Sequence, residues 1–341
     1  MKLNQTCKPQ PANAGLLGPL RNAPAGASSI ASLPHRAAAG GALIAACLGA
    51  VIANSAMADV DARADAEPGV AALQAPAVNY TGMWWAAPAG SQPGWGLSIA
   101  HQGDVIFAVW FTYAGNEGHP QWYSMTLDKQ ADGSYAGSLF RSVQLVPPWY
   151  SMDPFSASRL ITTSPGAATL TFSSPTTGTF AYEFYGTPGS NAITMQAFGP
   201  LPACVWGAQP DLAKATNFTD LWWASPAGQE PGWGVFIAQQ GDVIFATWFT
   251  YPYWMSVTAT KTAPNTYSGT LIRTVGPSCC PGNFSAGSVG LYDAGTATFT
   301  FTDGNNGTFF YAVNVFGGGG SGMDTKSITR QVFRPPGTVC Q

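Results

Sequence analysis

Charge is scarce in this chain. Asp, Glu, Lys and Arg together make up 9% of its 341 residues, against about 25% in an ordinary globular protein. No acidic residue precedes Asp59, and only three histidines occur, His35, His101 and His119. The scarcity of Lys and Arg removes the basic patch that nucleic acid requires, so no nucleic-acid partner is expected. No G-x-S-x-G, H-E-x-x-H or C-x-x-C is present, so the signatures of a nucleophile elbow, a zincin and a zinc knuckle are missing. No stretch carries the period of an amphipathic helix, which points away from helical folds. No catalytic residue, metal or cofactor follows from such a composition.

What the chain has instead is aromatic residues (13%) and a long internal repeat. Asn79-Tyr-Thr-Gly-Met-Trp84-Trp85 returns as Asn217-Phe-Thr-Asp-Leu-Trp222-Trp223, and Pro93-Gly-Trp95-Gly as Pro231-Gly-Trp233-Gly. Gln102–Ala108 returns as Gln240–Ala246, with the offset constant through Tyr113 and Tyr251 (217 minus 79, or 138 residues). A repeat of this length means two copies of one domain, residues 79–204 and 217–341, joined by a linker at 205–216. Copying also filters candidates. His101 becomes Gln239, and His119 falls in a segment that the second copy lacks.

Residues 1–58 carry Lys2, Lys8, Arg21 and Arg36, an apolar run from Ala37 to Ala53, and Ala56-Met57-Ala58. That order of basic region, apolar core and A-x-A site is the order of a secretory signal cleaved before Asp59. A lipid anchor at Cys47, within Ile44-Ala45-Ala46-Cys47, and an uncleaved membrane anchor are the alternatives. No further membrane span is expected. Residues 59–78, rich in Ala, Asp and Pro, form a tether. An exported chain would keep Cys204, Cys279, Cys280 and Cys340, an even number that reads as two disulfides in an oxidising compartment. The expected pairing joins Cys279 and Cys280 to Cys204 and Cys340, because neighbouring cysteines make a strained ring. Secretion or the periplasm is the expected location, with a cell-surface lipoprotein as the alternative.

Each repeat reads as a meander of short strands between Gly, Pro and Asn turns. In Trp95–Gln102 the large apolar side chains Trp95, Leu97 and Ile99 alternate with Gly96, Ser98 and Ala100. Gln102-Gly103 is a hairpin turn. Asp104–Tyr113 is apolar on both faces, so its outer face is expected to meet the sister domain or a partner. Further strands fall at Met83–Ala86, Gln121–Thr126, Ser134–Ser142, Ala167–Phe172, Thr179–Phe184 and Ala192–Phe198. An antiparallel sheet of eight strands hides its edges by closing. The fold class is therefore all-β, two tandem antiparallel up-and-down barrels, with β-sandwiches as the alternative.

Gly82-Met83-Trp84 resembles the G-x-W opening of the calycin barrels, the lipocalin and avidin superfamily. That resemblance implies a last-strand Arg packed over the Trp, a role open to Arg330 of Ser327–Phe333 in repeat 2. Repeat 1 differs, with Met195 at the Arg position and Gly82 where repeat 2 has Asp220. Trp222-Trp223, Gly232-Trp233-Gly234, Gln239-Gln-Gly-Asp242, Trp248-Phe-Thr-Tyr251, Gly269–Thr274 and Ser327–Phe333 together resemble an aromatic-rich module of exported proteobacterial proteins. This second resemblance implies export and fold rather than a chemistry.

The repeated rings Trp84, Trp85, Trp95, Trp110, Tyr113 and Trp122, with Trp222, Trp223, Trp233, Trp248, Tyr251 and Trp254, are the candidate ligand-binding residues; the last pair aligns after six residues are lost from repeat 2. They fill the barrels, line a pocket or form a stacking platform. Neighbours on a strand face opposite ways, so one of Trp84 and Trp85 faces outward and offers a contact surface. Arg141 and Arg273, kept in both copies, either lie along an aromatic face or bind an anionic group. Asp104 and Asp242 follow a hairpin Gly and read as turn residues. The sequons at Asn79 and Asn217 read as residues that begin strands.

These features support an exported non-enzymatic protein that binds a small apolar ligand, a polysaccharide or another polymer. A structural or adhesive module that self-associates through the doubly apolar strand is the second reading. A hydrolase using residues such as Asp153 or Glu183 is the third. The differences between the copies, at Ala114–His119, Cys279-Cys280 and Gly317–Gly320, are the places where function is expected to reside.

Overall fold

The computed structural model describes residues 78–114, 118–143, 156–250, 253–277, 284–314 and 321–341. The expected signal, most of the expected tether, Tyr251, Asp153, Cys279 and Cys280 lie outside them, as does the Gly317–Gly320 run. Both repeats are closed eight-stranded antiparallel barrels in simple up-and-down order. The first comprises β1 (Gly82–Ala86), β2 (Gly96–Gln102), β3 (Val105–Ala114), β4 (His119–Lys129), β5 (Tyr135–Val143), β6 (Ile161–Ser174), β7 (Thr177–Phe184) and β8 (Thr187–Met195). After it comes β9 (Cys204–Trp206). The second comprises β10 (Asp220–Ala224), β11 (Gly234–Gln240), β12 (Val243–Phe249), β13 (Trp254–Ala263), β14 (Thr266–Val275), β15 (Gly290–Phe301), β16 (Asn306–Asn314) and β17 (Ser321–Arg330), and β18 (Thr338–Cys340) follows it. The chain closes each barrel by pairing first strand with last, Trp84 opposite Met195 and Trp222 opposite Arg330.

Alternation along each strand decides what goes inside. In the first barrel Trp84, Leu97, Ile99, Trp110 and Phe180 are buried to within 1% of complete exclusion. They pack with Met125, Leu139 and Leu170 into one core, and the second barrel repeats it around Trp222, Trp248 and Phe309. Burial of so many rings contributes strongly to stability, and no α-helix among the described residues covers the barrels. Gly103 and Gly241, at φ of 65° and 62°, turn the β2–β3 and β11–β12 hairpins. The neighbouring Asp104 and Asp242 each pair with a lysine on the next strand, Lys129 and Lys261, at 3.1 Å. Asn79 and Asn217 begin their strands by accepting the N–H of Thr81 and Thr219, each at 2.9 Å.

The outer faces of β2, β3 and β4 meet those of β11, β12 and β13. Met83, Phe111 and Trp122 of the first barrel share one apolar cluster with Leu221, Phe236, Phe249 and Trp254 of the second. The sister barrel is thus what covers the doubly apolar strand. The seam is reciprocal. Trp122 Nε1 donates to the Thr250 carbonyl (2.7 Å) and Trp254 Nε1 to the Thr112 carbonyl (3.2 Å). The buried amide of Gln102 donates to Gln331 O and accepts from the N–H groups of Phe333 and Arg334, all at 3.0 Å. Gln240 does the same to Gln196, Phe198 and Gly199 at 2.7–2.9 Å. Each barrel therefore clamps the segment that leaves the other, as subunits of a two-fold dimer would. Tyr113 also lies on the seam, its ring 6.4 Å from Trp254 and its hydroxyl donating to Pro93 O. Burial there pushes this phenol up to about 12.

Three expectations are corrected. Cys204 is bonded to Cys340, and so neither can pair with Cys279 or Cys280. The two lie opposite each other because β9 and β18 form a two-stranded sheet, with Val205 facing Val339 and Trp206 facing Thr338. The bond still ties the end of the first repeat to that of the second. The segment 205–216 is correspondingly not a plain linker: it begins inside β9 and carries a 3-10 turn at Leu212–Lys214. The eighth strand lies at Thr187–Met195 rather than Ala192–Phe198, because residues 196–199 leave the barrel to meet Gln240.

The two copies solve one packing problem in opposite ways. In the second barrel Arg330 lies over the Trp222 ring at 5.0 Å and pairs with Asp220 at 3.2 Å, both side chains fully buried. Arg330 also donates to the carbonyls of Thr219, Asn217 and Gly304. Burial pushes the Asp220 carboxyl up, to about 6, against the pull of Arg330. In the first barrel Gly82 and Met195 stand at these positions, with the thioether packed against the glycine.

Candidate functional site

Each barrel has a closed end and a mouth. At the closed end of the first, Tyr80 stacks on Phe172 (3.6 Å between ring centroids) above Tyr135 and His101. Phe218 on Phe301 (3.7 Å) repeats this in the second. The mouth is the end where β1 runs into β2, β7 into β8 and their counterparts. Its floor in the first barrel is Trp110 packed on Tyr182 at 4.7 Å, and in the second Trp248 packed on Tyr311 at 4.5 Å. Exposed apolar side chains stand at that end, Ile161 and Tyr185 on one barrel and Leu291, Tyr292 and Met323 on the other.

The structure separates the candidate residues into four groups. Trp84, Trp95, Trp110, Trp222, Trp233 and Trp248 are interior rings. Trp122, Trp254 and Tyr113 belong to the seam. Trp85 and Trp223 face outward and are half-buried. Arg141 and Arg273 stand at the mouths. The hydrogen-bond network orients the Gln121 amide with its oxygen toward Arg141 (2.6 Å to Nη2) and its nitrogen toward the Tyr123 hydroxyl (2.8 Å). In the second barrel Tyr253 replaces Gln121, and the Arg273 guanidinium lies 5.4 Å from its ring centre. The non-repeated His119 comes within 6.0 Å of Tyr253 across the seam.

A charged group on the second mouth was not among the sequence candidates. Lys326 on β17 pairs with Glu230 at 2.6 Å, approaches Asp324 at 3.8 Å and lies 5.6 Å from the centre of the Trp233 ring. Glu230 and Lys326 are both mostly buried, at 18% and 15% exposure. Burial and the neighbouring Asp324 and Glu230 push the Tyr311 phenol up. Strand register equates Asp324 with Gly189 and Lys326 with Asn191, since Tyr311 faces the one and Tyr182 the other. Glu230, whose carbonyl accepts Trp233 N–H, corresponds to Gln92, whose carbonyl accepts Trp95 N–H. The first mouth therefore carries no charge at these three places. A search for repeated residues passes over a group present in one copy only.

A pocket of about 320 Å³ opens beside the seam between Phe107 and Phe333, flanked by Asp128 and Arg334. Both flanking side chains are exposed. Among the described residues no three His, Cys, Asp or Glu side chains are grouped to hold a metal, and no helix is long and apolar enough to cross a membrane. Comparisons with family models, curated proteins and solved structures return no match.

Proposed function

We propose that this protein is an exported, non-catalytic binding protein that engages its ligand at the barrel mouths. One observation carries the reading. In both barrels the interior is filled by rings, while apolar side chains remain exposed around the mouth above an aromatic floor. Barrel mouths are common ligand sites. Export is supported by the Cys204–Cys340 disulfide and by the signal-like order of residues 1–58. The adhesive reading loses its motive, because the outer face of β3 is spent on the sister barrel. Glu183, suggested for a hydrolase, is exposed on β7 between the inward-facing Tyr182 and Phe184.

The test is tryptophan emission of the full chain titrated with apolar probes, oligosaccharides and soluble polymers. A saturable blue shift or quench with one compound class is expected. Silence across the panel overturns the reading. Amino-terminal sequencing of exported protein is expected to begin at Asp59.

A further inference from the structure

The first barrel shows that this fold builds the rim of its mouth with Gln92, Gly189 and Asn191, none of them charged. The second places Glu230, Asp324 and Lys326 there, and burying charge at a barrel end costs stability that the fold does not demand. Their pairing is also incomplete. Glu230 Oε1 meets Lys326, but Glu230 Oε2 is buried with no partner, and so is the indole N–H of Trp233, a ring only 3% exposed. The Trp233 ring lies beneath Lys326, so both unmet groups belong to the same cluster. One is an acceptor and the other a donor.

The charges narrow what could satisfy them. Counted without Arg273, which lies over the Tyr253 ring at this mouth, Glu230, Asp324 and Lys326 sum to −1, which disfavours an anion among them. Lys326 already fills the position between the two carboxylates that a metal ion or an amine would take. A neutral hydroxyl both donates and accepts, and so answers Glu230 Oε2 and Trp233 Nε1 together. Tyr292 on β15, 46% exposed, adds an aromatic side chain at the same end of the second barrel.

We propose that the mouth of the second barrel is a saccharide subsite, in which the Glu230–Lys326 pair and the Trp233 indole bind hydroxyl groups of a neutral sugar. The assignment rests on the mouth-binding reading above and adds the ligand class and the barrel.

The experiment titrates the full chain with oligomers of glucose, galactose and N-acetylglucosamine, alongside putrescine as a cation and inorganic phosphate as an anion. Binding is read by tryptophan emission and saturation-transfer NMR. The variant Glu230→Gln/Asp324→Gly/Lys326→Asn gives the second mouth the residues of the first, so it is expected to fold with an unchanged or higher melting temperature. One neutral oligosaccharide is expected to bind the wild type, and the variant to bind it about tenfold more weakly or worse, as loss of hydrogen bonds to a charged group implies. Equal binding by the variant overturns the assignment. So does binding of putrescine or phosphate in place of every sugar, although mouth binding would then survive. Silence from sugars, ions and apolar probes alike overturns both.

Discussion

His101 lies 3.0 Å from the Tyr135 hydroxyl through Nε2, while its Nδ1 accepts the Tyr80 N–H at 3.2 Å. A backbone N–H can only donate, so the ring must be neutral, with its proton on Nε2. Gln239 reproduces the arrangement in the second barrel, its Oε1 accepting Phe218 N–H at 2.9 Å and its Nε2 donating to Tyr267 at 3.1 Å. A glutamine that cannot ionise thus replaces the histidine group for group.

That substitution predicts a pH dependence. Burial, the largest cause, lowers His101 from 6.5 to about 4, with Lys129 lowering it further and Asp104 opposing. Between those values the unfolded chain binds the proton and the folded chain does not, so stability falls as pH drops from about 6.5 toward 4 and levels off below. The full span is worth about 3 kcal/mol. His101→Gln removes this component. The wild-type urea midpoint should fall relative to that of the variant as pH drops from 6.5 to 4, on top of any constant offset between them. Parallel curves would show that His101 does not titrate in this way.

The Asp220–Arg330 pair and the Gly82–Met195 contact make a second comparison. Arg330→Met alone strands a buried carboxylate and is expected to cost about 3–5 kcal/mol. Asp220→Ala added to it should restore most of that loss, since the first barrel shows an apolar contact at the same place. A double-mutant cycle from denaturant unfolding measures the coupling. Additive losses would mean that the two charges stabilise independently.

The seam is expected to join the barrels into one unfolding unit. Trp122→Ala with Trp254→Ala removes both reciprocal hydrogen bonds and two large rings from the shared cluster. Each single change should cost about 3–5 kcal/mol. In the double variant, calorimetry should resolve two transitions where the wild type shows one. A single transition retained at lower temperature would place the coupling elsewhere, in the Gln102 and Gln240 clamps or the β9–β18 pair.

Much of the scaffold was legible because it is local. Trp95, Leu97 and Ile99 alternate within one strand, Gly103 announces its own turn, and the doubly apolar β3 signals a cover on each side. The β9–β18 pair was not, because two three-residue strands carry no period and each finds its partner more than 130 residues away. Gln102 and Gln240 read as turn neighbours, yet their amides bind backbone of the opposite barrel. The charged mouth escaped for a related reason. Glu230, Asp324 and Lys326 are scattered in sequence and unrepeated, and only closure of the barrel gathers them.

The Gln102 clamp has a consequence for synthesis. The carbonyl and N–H groups that it binds belong to Gln331, Phe333 and Arg334, which are made only after every strand of the second barrel. A ribosome or export channel therefore releases a first barrel whose interior can close at once but whose seam face stays uncovered. A chain broken off before residue 331 would leave the buried Gln102 amide without its three backbone partners.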